Sequence, residues 1–310
     1  MAKMQHSSLL SEPEAAATLE QAKHLVMSGN TAEGCFLLYR AWLSYRAVQN
    51  HTEALHTSLV LGWAQDRDYR SWQARRTITA AITNPLFKSQ PKCIQSRALV
   101  SMSRVCWSLG SFSAAAEHAD RAYQLARAAQ DRGRAALAAA QAALYLGRRK
   151  RAAYLFRQAV RLDPLLAATA HGTRAYLHNL GGQHRRALSE AEAGLALLVT
   201  SGPENRDDGS RAVEEAALAV ERGTAKAFLR QPDARSTLIA ARELLKALPG
   251  NTELEAARIK RALALVLIRA REHNAAESLL GEADSVFRQR HAPEHDLTAE
   301  VYRLIRDARR

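Results

Sequence analysis

The stretch Leu144-Tyr145-Leu146-Gly147-Arg148-Arg149-Lys150-Arg151-Ala152-Ala153-Tyr154-Leu155-Phe156-Arg157-Gln158-Ala159-Val160-Arg161-Leu162-Asp163-Pro164 decides the fold. It reads as the end of one helix, a glycine turn, and a second helix stopped by Asp163-Pro164. Ala152, Phe156 and Ala159 are spaced by four and then three residues, which places them on one helical face. Proline lacks an amide donor and its ring clashes with the preceding turn, so Pro164 cannot continue that helix.

The same grammar recurs on both sides. Leu109-Gly110-Ser111-Phe112 is followed by Ala115, Ala119 and Ala122, and Gly182-Gln183-His184 by Ala187, Ala191 and Gly194. A fainter copy follows Gly29, with Gly34, Leu38 and Ala41. The glycines at 110, 147 and 182 are 37 and 35 residues apart. Weaker helical pairs span 51–83, stopped by Asn84-Pro85; 211–248, broken at Gln231-Pro232-Asp233; and 252–290, turning near Glu272-His273-Asn274. A last amphipathic segment, Asp296 to Arg310, carries Leu297, Val301, Leu304 and Ile305 and suits a cap over the exposed end of a stack.

A period of this length, in helix–turn–helix units, resembles the tetratricopeptide repeat family. Gly147 matches the family's turn glycine, Ala152 and Ala159 its small packing residues, Phe156 its aromatic, and Pro164 its terminating proline. The unit around Gly110 matches through Phe112, Ala115 and Ala122 but lacks the proline. The first helix of the Gly147 unit departs from the pattern, with Ala136 and Ala139-Ala140 where the family has an aromatic and a Leu-Gly pair. The resemblance implies an all-α, right-handed solenoid of six to seven hairpins with a C-terminal capping helix.

Composition agrees. The 310 residues include 61 Ala against 15 Gly and 8 Pro, which favours helix throughout and excludes an all-β fold. Net charge is +13, from 44 basic and 31 acidic residues, and residues 91–170 alone supply +9 of it. Such a charge argues for anionic partners and says nothing of fold. Cys35, Cys93 and Cys106 show no metal-ligand spacing and read as reduced thiols. Residues 1–13 contain no apolar signal region, and the best apolar run, Ala135 to Gly147, is too short to span a bilayer. The expectation is a cytoplasmic protein without a membrane segment. Its domains are expected as a tail at 1–13, an array at 14–198, a polar linker at 199–210 and a second array at 211–310.

Catalytic signatures are missing: there is no phosphate loop, nucleophile elbow, dinucleotide fingerprint or HExxH. His291-Ala292-Pro293-Glu294-His295 spells a zincin-like string, but Pro293 prevents the helix that would align both histidines. His171 and His178 share a helix face without a carboxylate at ligand spacing on that helix, and Glu190/Glu192 and Glu214/Glu215 read as solvated acids. No enzyme activity, cofactor or metal is expected. In the family, the first helix of each hairpin lines a concave groove. Counting back from the turn glycines, the resemblance implies that Arg97, Arg104, Trp107, Arg134, Gln141, Tyr145, Tyr176 and Asn179 face it. Arginine forks suit carboxylates and aromatics supply rigid contact area. The expected function is a protein- or peptide-binding scaffold or regulatory adaptor for an acidic or carboxylate-bearing partner. Gln141 and Tyr176 stand where the family's dicarboxylate clamp has asparagine, which speaks against a chaperone-tail clamp. The alternative is a nucleic-acid-binding surface, using Arg148, Arg149, Lys150 and Arg151 with Arg132, Arg134 and Arg157.

Overall fold

A computed structural model of the chain describes residues 9–68, 70–200, 208–248, 252–289 and 306. Those residues form helical hairpins stacked in tandem, with no strand among them. The pairs are α1 (Glu12–Met27) with α2 (Thr31–Ala47), α3 (His51–Arg67) with α4 (Ser71–Thr83), and α5 (Lys92–Ser108) with α6 (Phe112–Leu125). They continue with α7 (Ala129–Tyr145) and α8 (Arg149–Leu162), then α9 (Ala167–Leu180) and α10 (His184–Thr200). The last two are α11 (Asp208–Phe228) with α12 (Ala234–Ala247) and α13 (Glu253–Arg269) with α14 (His273–Gln289). This is the all-α repeat solenoid that the sequence pattern implies. The capping helix expected from Asp296 onward falls almost entirely outside the described residues.

Helix boundaries follow local chemistry. Ser11 and Glu14 close a reciprocal capping box at the start of α1, so Glu12 and Pro13 belong to the helix, although the sequence reading put them in a tail. After α4 and α8 the same device appears twice. Asn84 and Asp163 each precede a proline, and their side-chain oxygens accept from the amides of Leu86 and Leu165 at 2.9 and 3.2 Å. Each opens a short 3-10 turn that redirects the chain into the next hairpin.

Several of the turns share one geometry. At Gly147 φ is +72°, and the amide of Arg148 donates to the carbonyl of Ala143 at 2.8 Å, tying off the last turn of α7. Arg230 and Arg271 hold the same left-handed conformation, φ 60° and 62°, without being glycine. Their closing bonds, Gln231 to Lys226 and Glu272 to Leu267, measure 3.0 and 2.9 Å. The turns fall where the sequence breaks at Gln231-Pro232-Asp233 and Glu272-His273-Asn274, without a glycine to take the left-handed position.

Packing is close because the contact faces are small. Ala115, Ala119 and Ala122 on α6, Ala187 and Ala191 on α10, and Ala276 and Ala283 on α14 are all fully buried, as are Leu38 and Ala41 on α2. The helix α7 is buried on all sides, from Ala135 through Ala140, because α5, α6, α8 and α9 surround it. Across the polar segment that follows α10, α11 packs on both α9 and α10. Leu218 of α11 is buried with Ala168 and Leu198. It fits because residue 194 is glycine: a Cβ there would lie 2.6 Å from Leu218 Cδ2 and 3.1 Å from His171 Cβ.

Three substitutions probe these turns and this seam. Gly147→Ala lowers stability by about 1–2 kcal/mol, because a Cβ is disfavoured at positive φ, whereas Arg271→Gly raises it by up to about 1 kcal/mol. Leu218→Ala costs about 2–5 kcal/mol through the cavity it leaves. Urea unfolding midpoints, read by far-UV circular dichroism, measure all three.

Candidate ligand groove and its turn edge

Helices α1, α3, α5 and α7 present their inner sides to a common trough of about 700 Å³. The bond from the Arg70 amide to the Gln65 carbonyl occupies the same turn position as that from Ser111 to Cys106. This alignment makes the lining a lattice of two rows. Lys23, Trp63, Arg104 and Gln141 hold one register on successive first helices, and His56, Arg97 and Arg134 hold another. All but Gln141 line the trough, and Arg67, Met27 and the apolar Leu59, Val60 and Val100 complete it.

The cations are held in different ways. Arg97 donates through Nε to Asp131 Oδ1 at 2.7 Å, and Asp131 is only 3% exposed. Arg104 Nε lies 3.6 Å from Asp66 Oδ2. Burial pushes the Asp66 carboxyl above its ordinary range, while the charges of Arg104 and Arg67 pull it back. Both guanidinium groups are thus gripped from behind at Nε, while more than half of each side chain stays open to the trough. Arg134 is exposed and has no carboxylate within ion-pair distance among the described residues. Lys23 pairs with Glu20 at 2.7 Å, and the Arg67 guanidinium lies 5.5 Å above the Trp63 ring.

The other sequence-expected residues lie elsewhere. Trp107, Tyr145 and Tyr176 gather with Phe112 near the turn ends of the hairpins. Tyr145 stacks on Phe112 at 3.6 Å between centroids, and the Trp107 ring meets Tyr145 and Tyr176 edge-on at 6.5 and 5.8 Å. Gln141 Nε2 donates to Thr173 Oγ1 at 3.1 Å, linking α7 to α9. Asn179 is buried and not a groove residue in this structure: its amide donates to the Glu221 backbone carbonyl and side chain at 3.0 and 2.8 Å. Above Tyr176 sits Arg258, 4.2 Å from the ring centre.

Of the basic run, Arg151 pairs with Asp120 at 2.6 Å, while Arg148, Arg149 and Lys150 are exposed at the turn edge. Glu190, read from sequence as a solvated acid, is not one. It bridges Arg174 and His171, with His171 Nδ1 at 2.8 Å, and only 14% of its side chain is exposed. The partner that α9 lacks in its own sequence comes from α10. Glu214 likewise accepts from the Thr169 hydroxyl. Among the described residues no group of three metal-ligating side chains exists, and no helix is long and apolar enough to cross a membrane. The string His291–His295 lies outside them.

Sequence reasoning missed Lys23, His56, Trp63 and Arg67. The signal existed: counting back from the turn after α3, as from the turn glycines, reaches His56 and Trp63. No glycine marked that turn.

Burial alone would raise the Glu190 carboxyl, but the His171 hydrogen bond and the Arg174 and His171 charges bring it below the usual glutamate value. Its stabilisation is therefore present above the unfolded-state pKa, near about 4.3, and is lost as pH falls through the folded value. Glu190→Gln should lower the unfolding free energy by about 1–3 kcal/mol at pH 7. The gap to the parent protein should close on acidification below about pH 4, as followed by thermal melts across pH.

No protein-family model matches the sequence, and no curated protein matches it. Solved structures share its architecture over nearly the whole chain. A tetratricopeptide repeat protein from Parabacteroides merdae ATCC 43184 aligns over 94% of this chain and 99% of its own, at 13% identity and a TM-score of 0.57. NprR, solved in complex with its cognate peptide NprX, aligns over 96% of this chain and 84% of its own, at 13% identity and a TM-score of 0.55. At such identity the likeness concerns architecture, and the chain has the tetratricopeptide-repeat fold.

Proposed function

We propose that the trough between α1 and α7 is a peptide-binding groove for an acidic segment of a partner protein, and that the protein is a non-catalytic scaffold or adaptor. One observation carries this reading: Arg97, Arg104 and Arg134 open into a trough that also offers Trp63 and an apolar floor. Fixed guanidinium groups bind carboxylates well because little side-chain freedom is lost on contact. The peptide-bound NprR structure supports the same use of this architecture.

The lattice also suggests a spacing. Helices in contact lie about 8–10 Å apart, and an extended chain rises about 3.3 Å per residue. A peptide crossing the groove therefore meets a new helix about every three residues. Acids at i and i+3 would reach successive arginines, with an apolar side chain against Trp63.

Nucleic acid is the weaker reading, because the residues that suggested it are divided. Arg134 lines the trough, Arg132 lies over the Tyr123 ring at 4.8 Å, Arg151 is paired with Asp120, and Arg148 to Lys150 stand at the turn edge. They form no single stripe for a phosphate backbone to follow.

Selection from a random-peptide display library tests the proposal. The parent protein should enrich Asp and Glu, with pairs three residues apart. Arg134→Glu, which disturbs no ion pair among the described residues, should weaken the selected peptides about tenfold. The double variant Arg97→Glu/Arg104→Glu should reverse the preference toward Lys and Arg while helix content is retained. Enrichment indifferent to charge, or unaffected by these variants, would contradict the proposal.

A further inference from the structure

A second cavity, of about 550 Å³, opens on the turn edge between the α7–α8 and α9–α10 hairpins. Its floor is apolar, from Tyr145, Phe156 and Leu177, and its mouth is basic, from Arg149, Arg174 and Arg186. The Arg149 amide donates to the Gly147 carbonyl at 2.9 Å, and its guanidinium has no hydrogen-bond or ion-pair partner among the described residues. Arg186 reaches only the neutral Gln183 amide, at 3.3 Å. Arg174 is engaged by Glu190. His178, also in the wall, is hydrogen-bonded to Gln183 at 2.8 Å, and burial favours its neutral form. Neither α8 nor α10 has an acidic residue in its first turn, although these are the turns that carry Arg149 and Arg186. Cations there also oppose the helix dipole, and no carboxylate among the described residues pairs with Arg149 or Arg186. A shallower depression beside the cavity shares Arg149, Gln183 and Arg186 and adds Arg185, which continues the positive mouth.

We propose that this cavity binds a small organic anion, with its carboxylate or phosphate between Arg149 and Arg186 and its apolar body over Phe156 and Leu177. The volume lies in the range of small-molecule sites, and an apolar floor with a few convergent charged groups is their usual construction. Tight binding of duplex nucleic acid needs many phosphate contacts along an extended row of cations, whereas Arg149 and Arg186 flank a recess of small-molecule size. The site is separate from the peptide groove: Arg97, Arg104 and Arg134 do not line it.

The probe is 8-anilinonaphthalene-1-sulfonate, an anion with an aromatic body, titrated by fluorescence against the full chain. Its uncharged analogue N-phenyl-1-naphthylamine serves as control. Arg149→Ala/Arg186→Ala should weaken the sulfonate about tenfold or more and leave the uncharged analogue unchanged. Glu190→Gln, which releases Arg174, should strengthen it. Arg134→Glu in the groove should leave it unaltered, so loss of the groove reading and loss of this one are told apart. Phenyl phosphate and benzoate, used as competitors, distinguish a phosphate from a carboxylate preference. The proposal is overturned if the edge double variant binds the sulfonate like the parent, or if both probes weaken equally. It is also overturned if Arg134→Glu abolishes the signal, or if duplex DNA displaces the probe at lower concentration than either small anion.

Discussion

Helices in this protein touch through alanine and glycine, and the rest of the structure depends on that closeness. Buried seams such as Ala115–Ala119–Ala122 and Ala152–Ala159 let paired helices approach with little side-chain volume between them. Larger side chains are admitted where glycine makes room, as Gly194 does for Leu218. The hairpins at Gly29, Gly110, Gly147, Gly182, Arg230 and Arg271 are closed by a left-handed residue that turns the chain sharply enough for the two helices to meet. Since every unit contacts mainly its neighbours, burial is distributed along the array instead of concentrated in one centre. Parallel first helices on the inner side are a consequence of this stacking, and a trough follows from them.

Much of this was legible in the sequence, for a physical reason. Small residues at helical spacing after a glycine are demanded by the packing, so Ala152, Phe156 and Ala159 announced a buried face that the structure reproduces. The turns at Arg230 and Arg271 carry a fainter signal, because a left-handed backbone tolerates other residues at a cost and leaves no glycine as marker. The site was legible only in part. Arg97, Arg104 and Arg134, chosen by helical register, line one trough, but register cannot tell an open position from one covered by the next hairpin. Asn179 illustrates the difference: it has the same register as Trp107, yet α11 covers it through Glu221. Glu190 shows the converse, since its partners His171 and Arg174 lie on another helix.

Charge gains meaning once it is placed. The net positive charge divides between a trough, where buried Asp66 and Asp131 lie behind arginines, and a turn edge, where Arg149 and Arg186 face a recess lined by no carboxylate. Buried carboxylates of the first kind orient guanidinium groups and reduce what a ligand must order on binding. Cations of the second kind repel one another until a counter-charge arrives. The two proposals therefore take different ligands: an extended acidic chain in the trough and a compact anion at the edge.

Hydrogen–deuterium exchange with a selected acidic peptide tests the central claim most directly. If the trough is the binding groove, addition of the peptide protects segments of α1, α3, α5 and α7 together, with the strongest effect around Trp63, Arg97, Arg104 and Arg134. Protection confined to the second helices α2, α4, α6 and α8, or to the turn edge around Arg149 and Arg186, would contradict it.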